Sequence, residues 1–154
     1  MSNPIHITCE SPSNPTVQAL LTPLLDELAR RYPEEGTDIE LPTGVDGPLG
    51  AMLVAWQDGV PIGCGAIRPL TPSLAEVKRM YVAPPMRQRG VGRLILQALV
   101  DKARQLSYQT ICLETGIRQP EAMRLYESAG FHRVECYGEY ANNKLSVCYR
   151  KRIQ

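Results

Sequence analysis

The chain has 154 residues, 44% of them hydrophobic, and its 17 Lys plus Arg against 16 Asp plus Glu leave a formal net charge of +1. That length fits one domain, residues 1–154, able to bury about two thirds of the surface its unfolded chain exposes. A balanced charge supplies no global field for nucleic acid or an anionic membrane, so neither is expected as a partner and a small molecule is.

Cys9, Cys64, Cys112, Cys136 and Cys148 are odd in number, widely spaced and free of any CxxC pair. That pattern predicts reduced, mostly buried thiols rather than a disulfide framework or a zinc site. His6 and His132 stand alone, and no metal is expected. The opening residues lack the basic region and apolar run of a secretory signal, and no stretch approaches the ~20 apolar residues of a membrane span. A cytoplasmic protein is the expectation.

In chain order, "IHITCE" alternates Ile5, Ile7 and Cys9 with polar residues, the period of a half-buried strand. Asn14 and Pro15 then form an N-cap followed by a proline in the first helical turn, and Thr22 with Pro23 repeats the signal. Two short helices or one kinked helix are expected, with Leu20, Leu21, Leu24, Leu25 and Leu28 facing the core and Arg30 and Arg31 suiting the C-terminal dipole. Residues 33–50 mix Pro, Gly and acids without a period. A loop this long is usually functional or mobile, and its acids Glu34, Glu35, Asp38, Glu40 and Asp46 mark it as a candidate for acceptor recognition.

"AMLVAWQDGVPIGCGAIRPL" is two apolar runs about Asp58 and Gly59, a hairpin signal. A strand from about 75 to 82, an amphipathic helix from about 90 to 106 carrying Val91, Leu94, Ile95, Ala98, Leu99 and Ala103, and a buried strand "TICLET" make a crossover unit whose two strands run parallel. "QPEAMRLYESAG" reads as a helix with Pro120 in its first turn and Gly130 as its stop. "HRVECY" and "LSVCYRK" read as two closing strands. The order is that of an α/β domain of the α+β type: a mixed central sheet of about seven strands flanked by about four helices.

The end of that unit's first strand and the start of its helix are joined in "RMYVAPPMRQRGVGRLIL". A helix start has unpaired amides and the positive end of the dipole. Gly90 and Gly92 remove the Cβ atoms that would keep a phosphate from those amides, and Arg87, Arg89 and Arg93 add charge. The stretch has neither the Lys-Ser/Thr of a P-loop nor the GxGxxG dinucleotide fingerprint, so a diphosphate of another kind is indicated.

These residues resemble a known family. "VKRMYVAPPMRQRGVGRLILQALV" is similar to the acetyl-CoA motif of the GNAT superfamily of N-acyltransferases, a Gln or Arg, two residues, Gly, one residue, then Gly or Ala, matched by Arg87, Gly90 and Gly92. "EAMRLYESAGFHRV" resembles the second motif through Leu125, Tyr126, Gly130 and Phe131. The resemblance covers about residues 50–151. It implies a sheet splayed between the fourth and fifth strands, acetyl-CoA as cosubstrate with its pantetheine arm paired to the backbone of Met80, Tyr81 and Val82, and its pyrophosphate held by the turn of Arg87, Gln88, Arg89, Gly90, Val91, Gly92 and Arg93. Many relatives carry Asn three residues before the Ala of the second motif; Gln119, before Pro120 and Ala122, is the corresponding candidate contact. A homodimer is a family-level expectation.

Acyl transfer from a thioester needs a neutral amine, a polarised carbonyl and a proton for the thiolate. The resemblance places Tyr126 as proton donor to the sulfur. Glu76 is the candidate base and Glu114, on the neighbouring strand, its competitor, since burial would raise either carboxyl. Cys64 and Cys112 lie in apolar patterns without a histidine nearby in sequence, so direct transfer in a ternary complex is expected over a covalent route. The acceptor is a small-molecule amine or a protein amino group. The alternative is a catalytically silent acyl-CoA-binding or sensing module of the same fold.

Overall fold

The computed structural model describes residues 3–36 and 38–154. Strands β1 (His6–Glu10), β2 (Ala51–Gln57), β3 (Val60–Thr71), β4 (Leu74–Val82), β5 (Thr110–Gly116), β6 (His132–Val134) and β7 (Ser146–Arg152) form one sheet in the order β1-β2-β3-β4-β5-β7-β6. All neighbours are antiparallel except β4 and β5. This is the mixed seven-stranded sheet that the alternation of runs predicts.

Three α-helices pack on it: α1 (Pro15–Arg31), α2 (Val91–Gln105) and α3 (Pro120–Ser128), with single 3-10 turns at Pro84–Met86 and Gly138–Tyr140. The count falls one below the expected four because Pro23 lies inside α1 and does not divide it. Asn14 caps that helix by accepting from the Thr16 amide at 2.9 Å. Beside the proline, the Thr22 hydroxyl donates to the Gln18 carbonyl at 3.1 Å. Val17, Leu20, Leu21 and Leu24 are buried on both sides of Pro23, and this continuous apolar contact outweighs the one missing backbone bond.

The two faces of the sheet carry separate cores. On one, α2 and α3 cover Ala75, Val77, Ile111, Leu113, Val147 and Tyr149; on the other, α1 covers Val54, Cys64, Ala66 and Tyr81. The hairpin between β2 and β3 turns at Asp58 (φ 54) and Gly59 (φ 74), the left-handed pair that a two-residue turn requires. Residues 33–50 form no helix or strand among those described, although Val45 within them is buried.

The cysteines depart from expectation. Cys64 and Cys112 are buried thiols, but Cys9 is exposed, and Cys136 and Cys148 form a disulfide with Cα atoms 5.1 Å apart. β6 runs antiparallel to β7 with Val134 opposite Cys148, so the chain leaving β6 brings Cys136 beside it. A sequence separation of 12 carries no sign of that pairing. None of the described helices is long and apolar enough to cross a membrane.

Candidate active site

β4 and β5 pair only at Leu74–Thr110, Ala75–Ile111 and Glu76–Cys112. Beyond Glu76 they part, while β4 stays bonded to β3 and β5 to β7. β4 is irregular at this point. Arg79 has φ 59, and the register with β3 slips between Cys64–Tyr81 and Ala66–Lys78, so one extra residue is accommodated there. Such a bulge bends and twists its strand, and here it accompanies the separation of β4 from its parallel neighbour. Gly65 faces the bulge; a Cβ at that position would lie 2.8 Å from the Met80 sulfur and 2.9 Å from side chains of Ile95 and Leu99. The backbone edge of β4 from Val77 to Val82, which includes Met80 and Tyr81, is left without a strand partner on the β5 side.

The resulting cleft has an inner part of about 120 Å³ lined by Val77, Lys78, Met80, Leu113, Thr115 and Tyr126. An outer part of about 170 Å³ is lined by Tyr32, Glu35, Asp38, Tyr140, Asn143 and Leu145. Leu28, Arg79, Glu114 and Gln119 border both.

At the far end of β4 the turn into α2 has Gln88 at φ 65 and Gly90 at φ 82. Among the described residues no backbone carbonyl accepts from the amides of Gln88, Arg89 or Gly90, and the first amides of α2, from Val91 onward, have no helical partner by geometry. A Cβ on Gly90 would meet nothing within 4 Å, so the space before these amides is open. A run of such amides suits an anion. The arginines contribute unequally. Arg87 turns inward, donating from Nε to the Val82 carbonyl and from Nη2 to Glu27, both at 2.8 Å. Arg93 donates to Ser128. Arg89 is exposed and has no ion pair among the described residues.

The two candidate carboxylates occupy opposite situations. Glu76 is 1% exposed; its Oε1 accepts from Arg68 Nε at 2.8 Å and its Oε2 from the Tyr137 hydroxyl at 2.7 Å. Both oxygens are committed, and the residue borders neither part of the cleft. Glu114 borders both parts. Burial pushes its carboxyl up to about 7, moderated by a 2.6 Å bond from the Ser146 hydroxyl and by the charge of Lys78.

Tyr126 lies across the inner cleft in α3, packed edge-on against Phe131 and tilted against Tyr149 at centroid distances of 6.1 and 5.9 Å. No described residue hydrogen-bonds its hydroxyl, and no buried side-chain polar atom is left without a partner, so the hydroxyl reaches the cleft rather than being sealed beneath it. Burial, then the nearby Glu114 charge, raises its pKa and keeps it protonated.

Gln119 precedes α3, and its Oε1 accepts from the Gly116 amide at 3.2 Å and from the Tyr32 hydroxyl at 3.2 Å. That side chain ties the end of β5 to α1. Cys64 and Cys112 are pushed up by burial to about 12 and about 11, which keeps both thiols protonated and unreactive. No group of three or more potential metal-binding side chains is found among the described residues. The sequence provided no signal for Tyr32, Tyr140 or Asn143, which reach the cleft from segments without a motif.

The profile of the Acetyltransferase (GNAT) family matches residues 19–131. This chain belongs to that family. It is 34% identical over 148 residues to an IAA acetyltransferase of Azospirillum brasilense, covering 96% of this chain and 97% of that one. It superimposes with a TM-score of 0.84 and 31% identity on a Klebsiella pneumoniae protein described as an acyl-CoA N-acyltransferase, covering 97% and 98% of the two chains. A GNAT family acetyltransferase from Elizabethkingia anophelis, solved with acetyl-CoA bound, shares the fold at a TM-score of 0.71 and 20% identity, covering 96% and 97%.

Proposed function

We propose that this GNAT protein transfers an acetyl group from acetyl-CoA directly to a primary amine, with Glu114 as base and Tyr126 as acid. The observation that carries the reading is that a carboxyl held near neutrality and a phenol held protonated border one cleft, where β4 and β5 part. Acetyl-CoA supplies a thioester carbonyl and a thiol leaving group. The residues present fit it: the amides of 88–92 and the open space at Gly90 suit its pyrophosphate, and the unpaired edge of Met80, Tyr81 and Val82 suits the amides of its pantetheine arm.

Glu114 takes a proton from the acceptor ammonium, leaving the nitrogen lone pair free to form the N–C bond. Tyr126 gives its proton to the sulfur as the C–S bond breaks and takes in return the second proton that the nitrogen sheds as the amide forms, while Glu114 passes the first to solvent through the open cleft. Glu76 is assigned instead to a structural ion pair that anchors β4 to β3 and to the segment after β6. Gln119 positions the β5–α3 turn through its internal bonds. Arg87 and Arg93 shape the donor turn from its flanks, and Arg89 supplies its exposed charge.

The test combines calorimetry with acetyl-CoA and an assay of CoA release over a panel of amines. Amine-dependent release with a matching acetylated product supports the reading; tight binding without release on any acceptor removes it.

A further inference from the structure

The sheet face that bears Glu114 carries charges that the transfer chemistry leaves unexplained. Ala75 and Val77 of β4, and Ile111 and Leu113 of β5, point into the core under α2. Alternation therefore puts Glu76, Lys78, Cys112 and Glu114 on the opposite face. There Glu76 is matched by Arg68. Lys78 forms no ion pair: among the described residues no carboxylate lies within 4 Å of it, Glu114 feels its charge only at longer range, and its ammonium donates to the neutral Tyr140 hydroxyl at 2.6 Å. Arg79, presented by the bulge, uses Nη2 alone to reach the Asp38 and Glu40 carbonyls at 3.0 and 2.9 Å and has no carboxylate partner either.

The two cations are adjacent in sequence, half-buried, and border the cleft beside Glu114. They stand mid-strand on β4, away from the turn at 87–93, so the phosphates of the donor do not account for them. A simple alkylamine would bring a further positive charge to this wall. An amine that also carries a carboxylate brings none in net, and places its anion where two unmatched cations wait. Glu35, oriented by Asn143 at 2.7 Å, faces the same outer cavity and adds a second negative group on the ammonium's side. Leu25, Leu28 and Leu145 offer an apolar wall, and about 170 Å³ suits a compact side chain.

We infer that the acceptor is an α-amino acid or a close amino-carboxylate analogue, its carboxylate received by Lys78 and Arg79 and its amine by Glu114. This rests on the acetyl-transfer reading and names the substrate class of that site.

The experiment measures CoA release by the full chain over matched sets: L-leucine, L-leucinamide and isopentylamine; L-methionine, L-methioninamide and 3-(methylthio)propylamine; L-phenylalanine, L-phenylalaninamide and phenethylamine. Within at least one set the free amino acid should exceed both partners in kcat/KM by about 10- to 100-fold, chiefly through KM, as expected for a charge-assisted contact. Lys78→Met should pull that ratio toward one, and Lys78→Arg should keep most of it. Acetyl-CoA calorimetry and thermal melting confirm that the variants are folded, and the amide comparison needs no variant. Turnover of amides or amines equal to or above that of the amino acids overturns the inference while leaving acetyl transfer standing, as does a preference untouched by both Lys78→Met and Arg79→Met. Turnover of no compound, with acetyl-CoA bound, removes the transfer reading and this inference with it.

Discussion

The proposed donor end and the proposed acceptor end of the cleft are built from different materials. Around Gly90 the candidate contacts are backbone amides and an unpaired strand edge, supplied by one continuous stretch from Val77 to Arg93. Around Glu114 the contacts are side chains from α1, the 33–50 loop, β4, β5 and the segment between β6 and β7. A backbone site depends on chain geometry and tolerates changes of side chain; a side-chain site depends on the tertiary packing of separate segments and fails residue by residue. Substitutions should therefore separate cleanly into those that alter donor binding and those that alter acceptor use or chemistry.

The largest effect is expected at Glu114. Glu114→Gln should lower kcat/KM by about 10²–10⁴ and abolish the fall in activity below pH 7, while acetyl-CoA affinity by calorimetry holds. A surviving acid limb would show that another group is the base. Because burial raises this carboxyl from its ordinary 4.5, its ionisation costs native stability, which is greatest below that value and declines as pH rises through about 7. The permanently neutral Glu114→Gln variant should thus gain melting temperature relative to the wild type as pH rises above about 4.5, with the full difference reached by about pH 7. Glu76→Gln should do the reverse, losing about 1–3 kcal/mol of stability through its broken ion pair with Arg68 and leaving the pH profile in place.

Next is Tyr126→Phe, which keeps the aromatic packing against Phe131 and Tyr149 and deletes the hydroxyl. Turnover should fall by about 10² with donor affinity little changed, and an acyl donor bearing a better leaving thiol should restore part of the loss. Wild-type turnover with acetyl-CoA, where chemistry limits the rate, would remove the phenol from the mechanism.

Smaller still is the donor turn. Gly90 has φ 82, so valine there combines backbone strain with a branched side chain before the open amides. Gly90→Asn adopts left-handed geometry more readily and separates the two effects. Both variants should weaken acetyl-CoA binding by about tenfold or more, at saturating donor leaving acceptor KM alone. Equal donor affinity in the folded asparagine variant would show that the amides do not hold the pyrophosphate.

The smallest effect belongs to the disulfide. Cys136 and Cys148 enclose Tyr137, Tyr140, Asn143 and Leu145, the last three of which border the outer cavity. Cys136→Ser, or reduction by dithiothreitol, should raise acceptor KM a few-fold and lower stability by about 2–3 kcal/mol, with donor affinity constant. A change in donor affinity instead would break the separation of the two ends.

Most of the fold was legible because it rests on local periodicity. The Asp58–Gly59 hairpin, the Asn14 cap, the α2 stripe and the Gly130 stop each depend on residues within a turn or two of one another. The turn into α2 was legible for the same reason, since Arg87, Gly90 and Gly92 are neighbours in the chain; its donor role is what we propose for it. Pro23 left two short helices or one kinked helix open, and the packing of Leu20, Leu21 and Leu24, a tertiary contact that the helix-break signal ignores, decided for a single helix.

The sequence by itself determined the sheet-and-helix order, the family and the glycine-bearing turn that opens α2, because helix starts, strand alternation and left-handed glycines act over a few residues. Only the tertiary structure decided which carboxyl faces the cleft. Glu76 and Glu114 sit on the same face of adjoining strands, and what separates them is distance from the bulge: at Glu76 the strands are still zipped and Arg68 and Tyr137 close over the carboxylate, whereas at Glu114 they have parted. The same holds for the Cys136–Cys148 bond and for the unmatched pair Lys78 and Arg79. Which charges find partners is set by segments that meet across tens of residues, and no local pattern encodes that meeting.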